Sequence, residues 1–436
     1  SIGYRRLAII DLSAEYPMKN EKETIELVLN GEIYNYLDLR KELEEQGHEF
    51  KSNSDSETIV HGYEEWGEGI LEKLRGMFVF VLYDKLKDQL FIARDRLGIK
   101  PLYYAQHDGR FVFGSEIKGI FSSFDVSREP NDKIVTRFLH KRLHDIDEET
   151  FFKHVKRLLP GHFMYVNADG SFDIKKYWDP SFNPNFSKSV TGEKKSDADY
   201  AEEFKEIFSE AVKIHLLADV PIGVTLSGGL DSSGITALSK KLFDEAATID
   251  QQANGKKGEV IAFSAIHPGE KVDESEYIDS VVKATGIKSV KIQPNVDNFW
   301  EELDTWTYFQ EEPVISTAPY AYYTVMREAR KEVTVLLSGQ GGDELLAGYI
   351  PYFLTYLQTA MDQKKLWPAI RETWMGKDLY FKYFLEKMNG RRNSDNVIDP
   401  TRSLNLESRI SNIGTENKME LDSRFQILDS KNSRNL

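Results

Sequence analysis

Residues 221–234, PIGVTLSGGLDSSG, constrain the fold of this chain more than any other stretch. The apolar, β-branched run 220–226 predicts a buried strand, which leads into a Ser-Gly-Gly turn and a helix. Gly228 and Gly229 let backbone N–H groups approach a ligand, and the positive end of the helix favours an anion. Three serine hydroxyls surround the same point. The stretch therefore predicts a phosphate- or pyrophosphate-binding loop.

The loop differs from a Walker A loop, because no lysine follows its glycines. Asp231 instead suggests a bound Mg²⁺ as the counter-charge. The alternative is an ordinary turn capped by serines, which would be the simpler interpretation of two glycines alone. The unbroken order of strand, loop and helix favours the phosphate loop.

A second glycine-rich loop, SGQGGDELLAGY at 338–349, follows a predicted strand over 333–337. Strands near 260–266 and 290 alternate with helices at 199–218, 234–243 and 274–284, a pattern typical of a parallel sheet. Ligands gather where such strands end, so both loops are expected at one edge. Asp343 and Glu344 add oxygen ligands for a metal ion.

The first half of the chain predicts many short strands, at 77–83, 89–93, 102–105 and 110–114, with a helix at 37–46. This pattern favours an α+β sandwich. Asn30-Gly31, taken alone, is most simply a hairpin turn, and Arg6 a surface charge.

SGGLDSS resembles the pyrophosphate loop of the ATP pyrophosphatases, a family that includes the asparagine synthetases. Six fragments of the first half resemble the glutaminase domain of class II glutamine amidotransferases: RRLAIIDLS (5–13), NGEIYN (30–35), SDSE (54–57), GMFVFVLYD (76–84), ARDRLGIKPLYY (93–104) and SEIK (115–118). With SGQGGDELLAGY in second place, the order of motifs is similar to that of the asparagine synthetases.

The resemblance implies a two-domain fold. Residues 1–165 would form an α+β sandwich of the N-terminal nucleophile hydrolase type, with αββα layers. Residues 166–200 are expected to be a linker, since they are polar and rich in Ser, Lys and Gly. Residues 201–436 would form an α/β ATP-pyrophosphatase domain with a parallel sheet, similar to the adenine-nucleotide α-hydrolases.

The resemblance also implies site residues. Glutamine would be held by Arg6 at its carboxylate, by Glu32 and Asp55 at its amino group, and along Leu7, Ala8, Ile9 and Ile10, with Asn30 and Gly31 as the oxyanion hole. These residue types suit an α-amino acid and a developing oxyanion. ATP and pyrophosphate would be bound by Thr225, Leu226, Ser227, Gly228, Gly229, Leu230, Asp231, Ser232, Ser233, Ala265, Ser338 and Gly339. Asp231 and Asp343 are the expected Mg²⁺ ligands, and Gln340 occupies a catalytic position that is Glu in some family members.

The implied reaction is the ATP-dependent conversion of aspartate to asparagine through β-aspartyl-AMP. Its ammonia comes from glutamine, and its other products are AMP, pyrophosphate and glutamate. The alternatives are an enzyme of the same fold with another carboxylate acceptor, such as a β-lactam synthetase, or a non-catalytic descendant without glutaminase activity. The family's N-terminal cysteine nucleophile is not found before Arg6, and the family's later catalytic lysine segment does not follow. Both ends are therefore expected to be cut. The complete protein is expected to be a carbon-nitrogen ligase, whereas the fragment as given is expected to be inactive and unable to hydrolyse glutamine.

Composition sets further expectations. The net charge of -15 argues against a nucleic-acid partner, and no apolar run approaches the length of a membrane span. The chain has no cysteine, and its nine histidines show no HExxH spacing, so thiolate zinc sites and metallohydrolases are set aside. A cytoplasmic enzyme acting on small molecules is expected, and the resemblance also allows a homodimer.

Overall fold

A computed structural model describes residues 2–123, 125–180, 195–250, 259–362, 370–371 and 373–374. The chain divides into two compact units, Ser1–Gln340 and Gly341–Leu436, and each is described by itself.

The first part of unit 1 is built on two antiparallel sheets. The larger has the order β1-β2-β3-β4-β8-β9, with β1 Met18–Lys19, β2 Ile25–Ile33, β3 Gly76–Asp84, β4 Gln89–Arg94, β8 His162–Asn167 and β9 Phe172–Lys176. The smaller has the order β6-β5-β7, with β5 Tyr103–His107, β6 Arg110–Gly114 and β7 Lys156–Arg157. The α-helices among the described residues of this part are α1 Tyr36–Glu45, α2 Asp55–Trp66, α3 Ile70–Lys73, α4 Ile117–Ser123 and α5 Asp132–Lys141.

The alternation of side chains along β3 explains the layers of this part. Phe78, Phe80 and Leu82 join a buried cluster with Ile59 and other residues of α2. Val79 and Val81 point the other way and pack with residues of the smaller sheet and its flanks, including Tyr104. Two sheets thus pack against each other with a helix on the outer face, as the strand pattern predicted.

The hairpin interpretation of Asn30-Gly31 is wrong, because β2 runs straight through both residues. Asn30 pairs with Val79, and Gly31 pairs with Phe78. A Cβ atom at position 31 would lie 2.1 Å from the Met77 carbonyl oxygen. Glycine is required at position 31 because β2 and β3 approach closely there, and the dipeptide forms part of a strand, not a turn.

The second part of unit 1 contains a parallel sheet of order β12-β11-β10-β13, as predicted. Its strands are β10 Ile222–Thr225, β11 Ile261–Ala265, β12 Lys288–Ile292 and β13 Val335–Leu337. The helices that alternate with them are α6 Asp197–His215, α7 Leu230–Asp250, α8 Ser275–Thr285, α9 Val296–Gln310 and α10 Ala318–Ala329. Val224, Ala262 and Ile278 are among the buried residues of the core between sheet and helices.

The segment between the two parts was expected to be a linker over 166–200. Strand β9, inside that range, pairs with β8 along its whole length. Residues 181–194 lie outside the described residues, and the domain limits stay a prediction.

Unit 2 begins with α11 Gly342–Leu346 and α12 Ile350–Asp362. The aromatic residues expected in this region include Tyr352 and Tyr356 on α12, whereas Trp367, Tyr380, Phe381 and Phe384 lie outside the described residues. Among the described residues of the whole chain, no helix has the length and apolar character needed to cross a membrane.

Candidate functional site

The predicted phosphate loop lies between β10 and the first turn of α7. The Ser227 hydroxyl bonds with the Ser232 hydroxyl at 3.0 Å and accepts from the Gly229 N–H at 3.3 Å. The Ser232 hydroxyl accepts from the Ser227 N–H at 3.2 Å. These bonds curl the loop over the helix N-terminus, where the helix dipole attracts an anion.

Gly228 explains why the loop needs glycine. Its φ is +81°, and a Cβ atom there would lie 2.7 Å from Cβ of Tyr277 and 3.2 Å from N of Ile278 on α8. Both the backbone conformation and the neighbouring helix therefore exclude a side chain.

The second glycine-rich loop starts beside the first. Strand β13 pairs in parallel with β10, with Val224 opposite Leu337, so the two strands end at the same edge. A Cβ atom on Gly339 would lie 3.0 Å from N of Ser232 and 3.2 Å from Cβ of Asp231. Ser338 and Gly339 are thus brought onto the first turn of α7, as the pairing of motifs predicted.

Two other residues expected to bind the nucleotide lie at the same edge of the parallel sheet, whereas Asp343 belongs to the other unit. Thr225 lies at the end of β10, and its hydroxyl is 3.4 Å from the Leu337 carbonyl oxygen. Ala265 ends the neighbouring strand β11. The Gln340 N–H bonds to the Ser338 hydroxyl at 3.1 Å. Asp343 belongs to unit 2, where it lies in the first turn of α11, and its partnership with Asp231 stays a prediction.

The two acids expected to hold the glutamine amino group are both buried in the first part. Glu32, on β2, is 8% exposed, and its Oε2 has no hydrogen-bond partner among the described residues. Asp55, the first residue of α2, accepts from the Ile33 N–H at 2.8 Å. Burial, with the charge of Asp55, raises the pKa of Glu32, and burial also raises the pKa of Asp55. Two neighbouring buried acids of this kind would suit a cationic partner such as an ammonium group, and that role stays a prediction.

Arg6 makes contacts that the sequence did not predict. Its guanidinium donates to the carbonyl oxygens of Ile10, Asp11 and Ala14 at 2.6, 2.8 and 3.2 Å, and lies over the Tyr16 ring. The side chain thereby shapes the loop that includes Leu7, Ala8 and Ile9. Its binding to the glutamine carboxylate stays a prediction.

Asn30 projects from β2 toward the SEIK segment, and its Nδ2 donates to the Ser115 hydroxyl at 3.2 Å. Two of the six recognised fragments therefore meet at this side chain. Its role with Gly31 as an oxyanion hole stays a prediction.

Comparisons with known proteins follow the same division of the chain. A family model described as "Glutamine amidotransferase domain" matches residues 1–178. A second model, described as "Asparagine synthase", matches residues 203–426, more than half of the chain. The chain belongs to the asparagine synthase family. The predicted fold class is confirmed as an amidotransferase domain followed by an asparagine synthase domain with a parallel sheet.

Individual proteins of known name are similar to this asparagine synthase family member at about one third identity or less. "Asparagine synthetase [glutamine-hydrolyzing] 1" of Bacillus subtilis (strain 168) is 33% identical and covers 80% of this chain and 52% of that protein. "Amidase chry2" of Gibberella zeae is 28% identical and covers 85% of this chain and 54% of that protein. The chain spans about half the length of these curated relatives. A solved glutamine phosphoribosylpyrophosphate amidotransferase of B. subtilis, with ADP and GMP, covers 65% of this chain and 74% of its own at 13% identity and a TM-score of 0.29. At that score the likeness does not bear on the fold.

The ARDRLGIKP fragment of this family member contains residues that were not predicted for the site. Asp95 is buried and accepts from the N–H groups of Phe78, Leu97, Ile99 and Lys100, at 3.0–3.2 Å. This fixes the loop that carries Lys100, a largely buried amine whose charge opposes that of Glu32 and whose pKa is lowered by burial. The signal was present as a recognised fragment, but it did not distinguish a structural acid from a ligand-binding one.

The two parts of unit 1 meet beside the loop at residues 6–14, called the glutamine loop here because Arg6 to Ile10 are predicted to bind glutamine. The Asp219 carboxylate accepts from the Asp11 N–H at 2.8 Å, and its own N–H donates to the Ile9 carbonyl at 2.9 Å. Asp219 is followed within a few residues by β10. One short segment therefore joins the glutamine loop to the strand that leads into the phosphate loop.

Proposed function

We propose that the chain provides the glutamine-binding and nucleotide-binding parts of an enzyme that amidates a carboxylic acid with ATP, and that the acid is aspartate. The observation that supports this most strongly is the close approach of Gly339 to the first turn of α7. A Cβ atom added to Gly339 would lie only 3.0 Å from the backbone nitrogen of Ser232. Two glycine-rich loops at neighbouring strand ends suit the phosphate tail of a nucleotide.

In the proposed reaction, a side-chain carboxylate oxygen of aspartate attacks the α-phosphorus of ATP. The bond to the bridging oxygen breaks, pyrophosphate leaves, and β-aspartyl-AMP forms. Ammonia then attacks the acyl carbon, loses a proton, and displaces AMP to give asparagine. The loop N–H groups and the hydroxyls of Ser227 and Ser232 stabilise the charge that grows on the departing pyrophosphate.

Asp231 fits the role of a Mg²⁺ ligand, because it is a partly exposed carboxylate on the first turn of α7. Bound Mg²⁺ would neutralise charge on the phosphates. The binding of glutamine by Glu32 and Asp55, which would supply ammonia by hydrolysis, is part of the same proposal. A cytoplasmic location and a homodimer stay predictions.

A second candidate is amidation of a different carboxylate. The relative named as an amidase covers slightly more of this chain than the named asparagine synthetase does. The fold and the phosphate loop serve both candidates, and the acceptor alone separates them.

Pyrophosphate release tests the proposal with ATP, Mg²⁺, an ammonium salt and a panel of amino acids. The ammonium salt makes the assay independent of glutamine hydrolysis. We expect release that requires aspartate, a fall of about 100-fold in Asp231→Asn, and no change in Asp244→Asn on the same helix. Release with another acid supports the second candidate, and release that needs no acid or survives Asp231→Asn unchanged contradicts the proposal.

A further inference from the structure

A cluster of histidine and glutamate side chains lies apart from the two proposed pockets. One ligand atom from each of Glu21, His48 and His61 lies within 4.8 Å of the others. The three residues come from separate segments: the turn between β1 and β2, the loop after α1, and α2.

His61 is the buried member of the cluster. It is 1% exposed, and neither ring nitrogen has a hydrogen-bond partner among the described residues. A buried imidazole without partners loses the hydrogen bonds that it would make with water. A bound cation on one nitrogen would compensate that loss.

The δ nitrogens of both imidazoles face one carboxylate oxygen. Oε2 of Glu64 lies 3.4 Å from Nδ1 of His61 and 4.0 Å from Nδ1 of His48. This oxygen also lacks a hydrogen-bond partner. Ligand atoms around a tetrahedral Zn²⁺, with bonds of about 2.0–2.1 Å, are about 3.3 Å apart. The His61 and Glu64 atoms already have this spacing, and Oε1 of Glu21 lies 3.8 Å from the same Nδ1.

The ε nitrogens face other carboxylates. Nε2 of His61 lies 3.6 Å from Glu57, and Nε2 of His48 lies 3.4 Å from Glu65. Carboxylates in these positions favour the proton on Nε2, which leaves the Nδ1 lone pair for a metal. Glu57 is itself held by Lys51 and Ser52.

The charge of the cluster points the same way. Four carboxylates, those of Glu21, Glu57, Glu64 and Glu65, surround two imidazoles. Within the part of the chain that the structure describes, no side-chain nitrogen of a lysine or arginine lies within 4.0 Å of these carboxylates. Asn20, a neutral amide, donates to Oε1 of Glu64 at 2.8 Å and fixes its orientation.

We propose that Glu21, His48, His61 and Glu64 form a binding site for a divalent transition metal, best matched by Zn²⁺. Imidazole and carboxylate ligands in fourfold coordination are typical of Zn²⁺. The ion would tie two segments, the turn that carries Glu21 and the loop that carries His48, to α2, the helix that begins with Asp55. Its role is structural, and the site goes beyond the proposed reaction.

The site is tested on the full chain without a histidine tag, freed of metal with a chelator and titrated with Co²⁺ and Zn²⁺. We expect one ion per chain, visible d–d absorption of tetrahedral Co²⁺, and a rise in Tm with Zn²⁺ concentration. His48→Gln and Glu21→Gln should each weaken binding at least about tenfold. His154→Gln removes an exposed histidine that also lies beside a glutamate, at 3.3 Å from Glu129, and should bind as the wild type does.

Binding of less than about one tenth of an equivalent, or equal binding by the wild type and both cluster variants, would overturn the proposal. Far-ultraviolet circular dichroism shows which variants are folded. Glu21 is partly exposed, so Glu21→Gln keeps the test decisive if His48→Gln fails to fold.

Discussion

At the residue scale, the carboxyl groups of Glu32 and Asp55 are both buried, and burial raises the pKa of each. Their raised pKa values mean that the folded protein holds protons that the unfolded chain releases. Between the ordinary glutamate pKa of about 4.3 and the raised values, the folded state therefore binds more protons than the unfolded state. Stability falls as pH rises through this window.

Replacing Glu32 by Gln tests this account of the pocket. The contribution of these two groups to the free energy of unfolding should fall with rising pH, by about 1.4 kcal/mol for each unit by which a pKa is raised. Glu32→Gln should show a smaller fall, because one titrating group is removed. The measurement is the urea midpoint at several pH values from ~4 to ~9. Exposed Glu15→Gln is the control, and an identical pH slope in all three proteins would contradict the account.

Gly228 gives a second test at this scale, because Gly269 is a matched control. Both have positive φ, +81° and +84°, but only Gly228 has atoms within 4 Å of an added Cβ. Each change to alanine should cost about 1–2 kcal/mol for the backbone. Gly228→Ala should cost a further ~1–3 kcal/mol for the overlap with Tyr277. Equal unfolding midpoints for the two variants would show that α8 does not confine the loop.

At the residue scale, sequence-based prediction succeeded where the local backbone geometry admits only one residue type. Gly228 of SGGLDSS is such a residue, since a positive φ beside a crowded helix admits little else. The prediction failed at Asn30-Gly31, where local turn propensity lost to strand pairing over nine residues of β2. The buried role of Asp95 depends on N–H groups of two segments, which a motif does not reveal.

At the element scale, the end of α9 holds the two parts of unit 1 together. The Glu311 carboxylate accepts from the N–H groups of Ile117 and Lys118, at 3.0 and 2.8 Å. The Glu312 carboxylate accepts from the Phe151 N–H at 2.9 Å and faces Arg157. Adjacent acids thus cap α4 and a neighbouring loop of the first part.

Glu311→Gln should loosen this contact. A glutamine amide has one acceptor oxygen, so one of the two N–H groups loses its partner, at a cost of about 1–3 kcal/mol. Glu301→Gln, an exposed change on the same helix, should cost much less. The measurement is urea unfolding together with limited proteolysis, and equal effects of the two changes would show that this contact does not stabilise the pair.

The sequence predicted the existence and type of most helices and strands, and it predicted their first and last residues less accurately. Helix α7 begins at Leu230, whereas apolar spacing predicted 234, because the helix starts inside the glycine loop. Strand β9 formed where a polar linker was expected, since its partner β8 supplies hydrogen bonds that composition does not show. His61 and Glu64 are three residues apart on α2 and therefore lie on one face of the helix. The positions of His48 and Glu21 beside His61 depend on tertiary structure, which the sequence does not show.

At the scale of the whole molecule, the order of motifs predicted the fold class and the pairing of an amidotransferase domain with a synthase domain. The contact of Asp219 with the glutamine loop could not be predicted, because it joins residues 208 positions apart through one carboxylate.

The central claim is that the loops after β10 and β13 together grip the phosphates of a nucleotide. Calorimetric titration of ATP with Mg²⁺ into the wild type, Gly228→Ala and Gly269→Ala tests it most directly. The account predicts that the wild type and Gly269→Ala bind alike, and that folded Gly228→Ala binds at least about tenfold more weakly. Equal affinity of all three proteins, or no binding by the wild type, would contradict it.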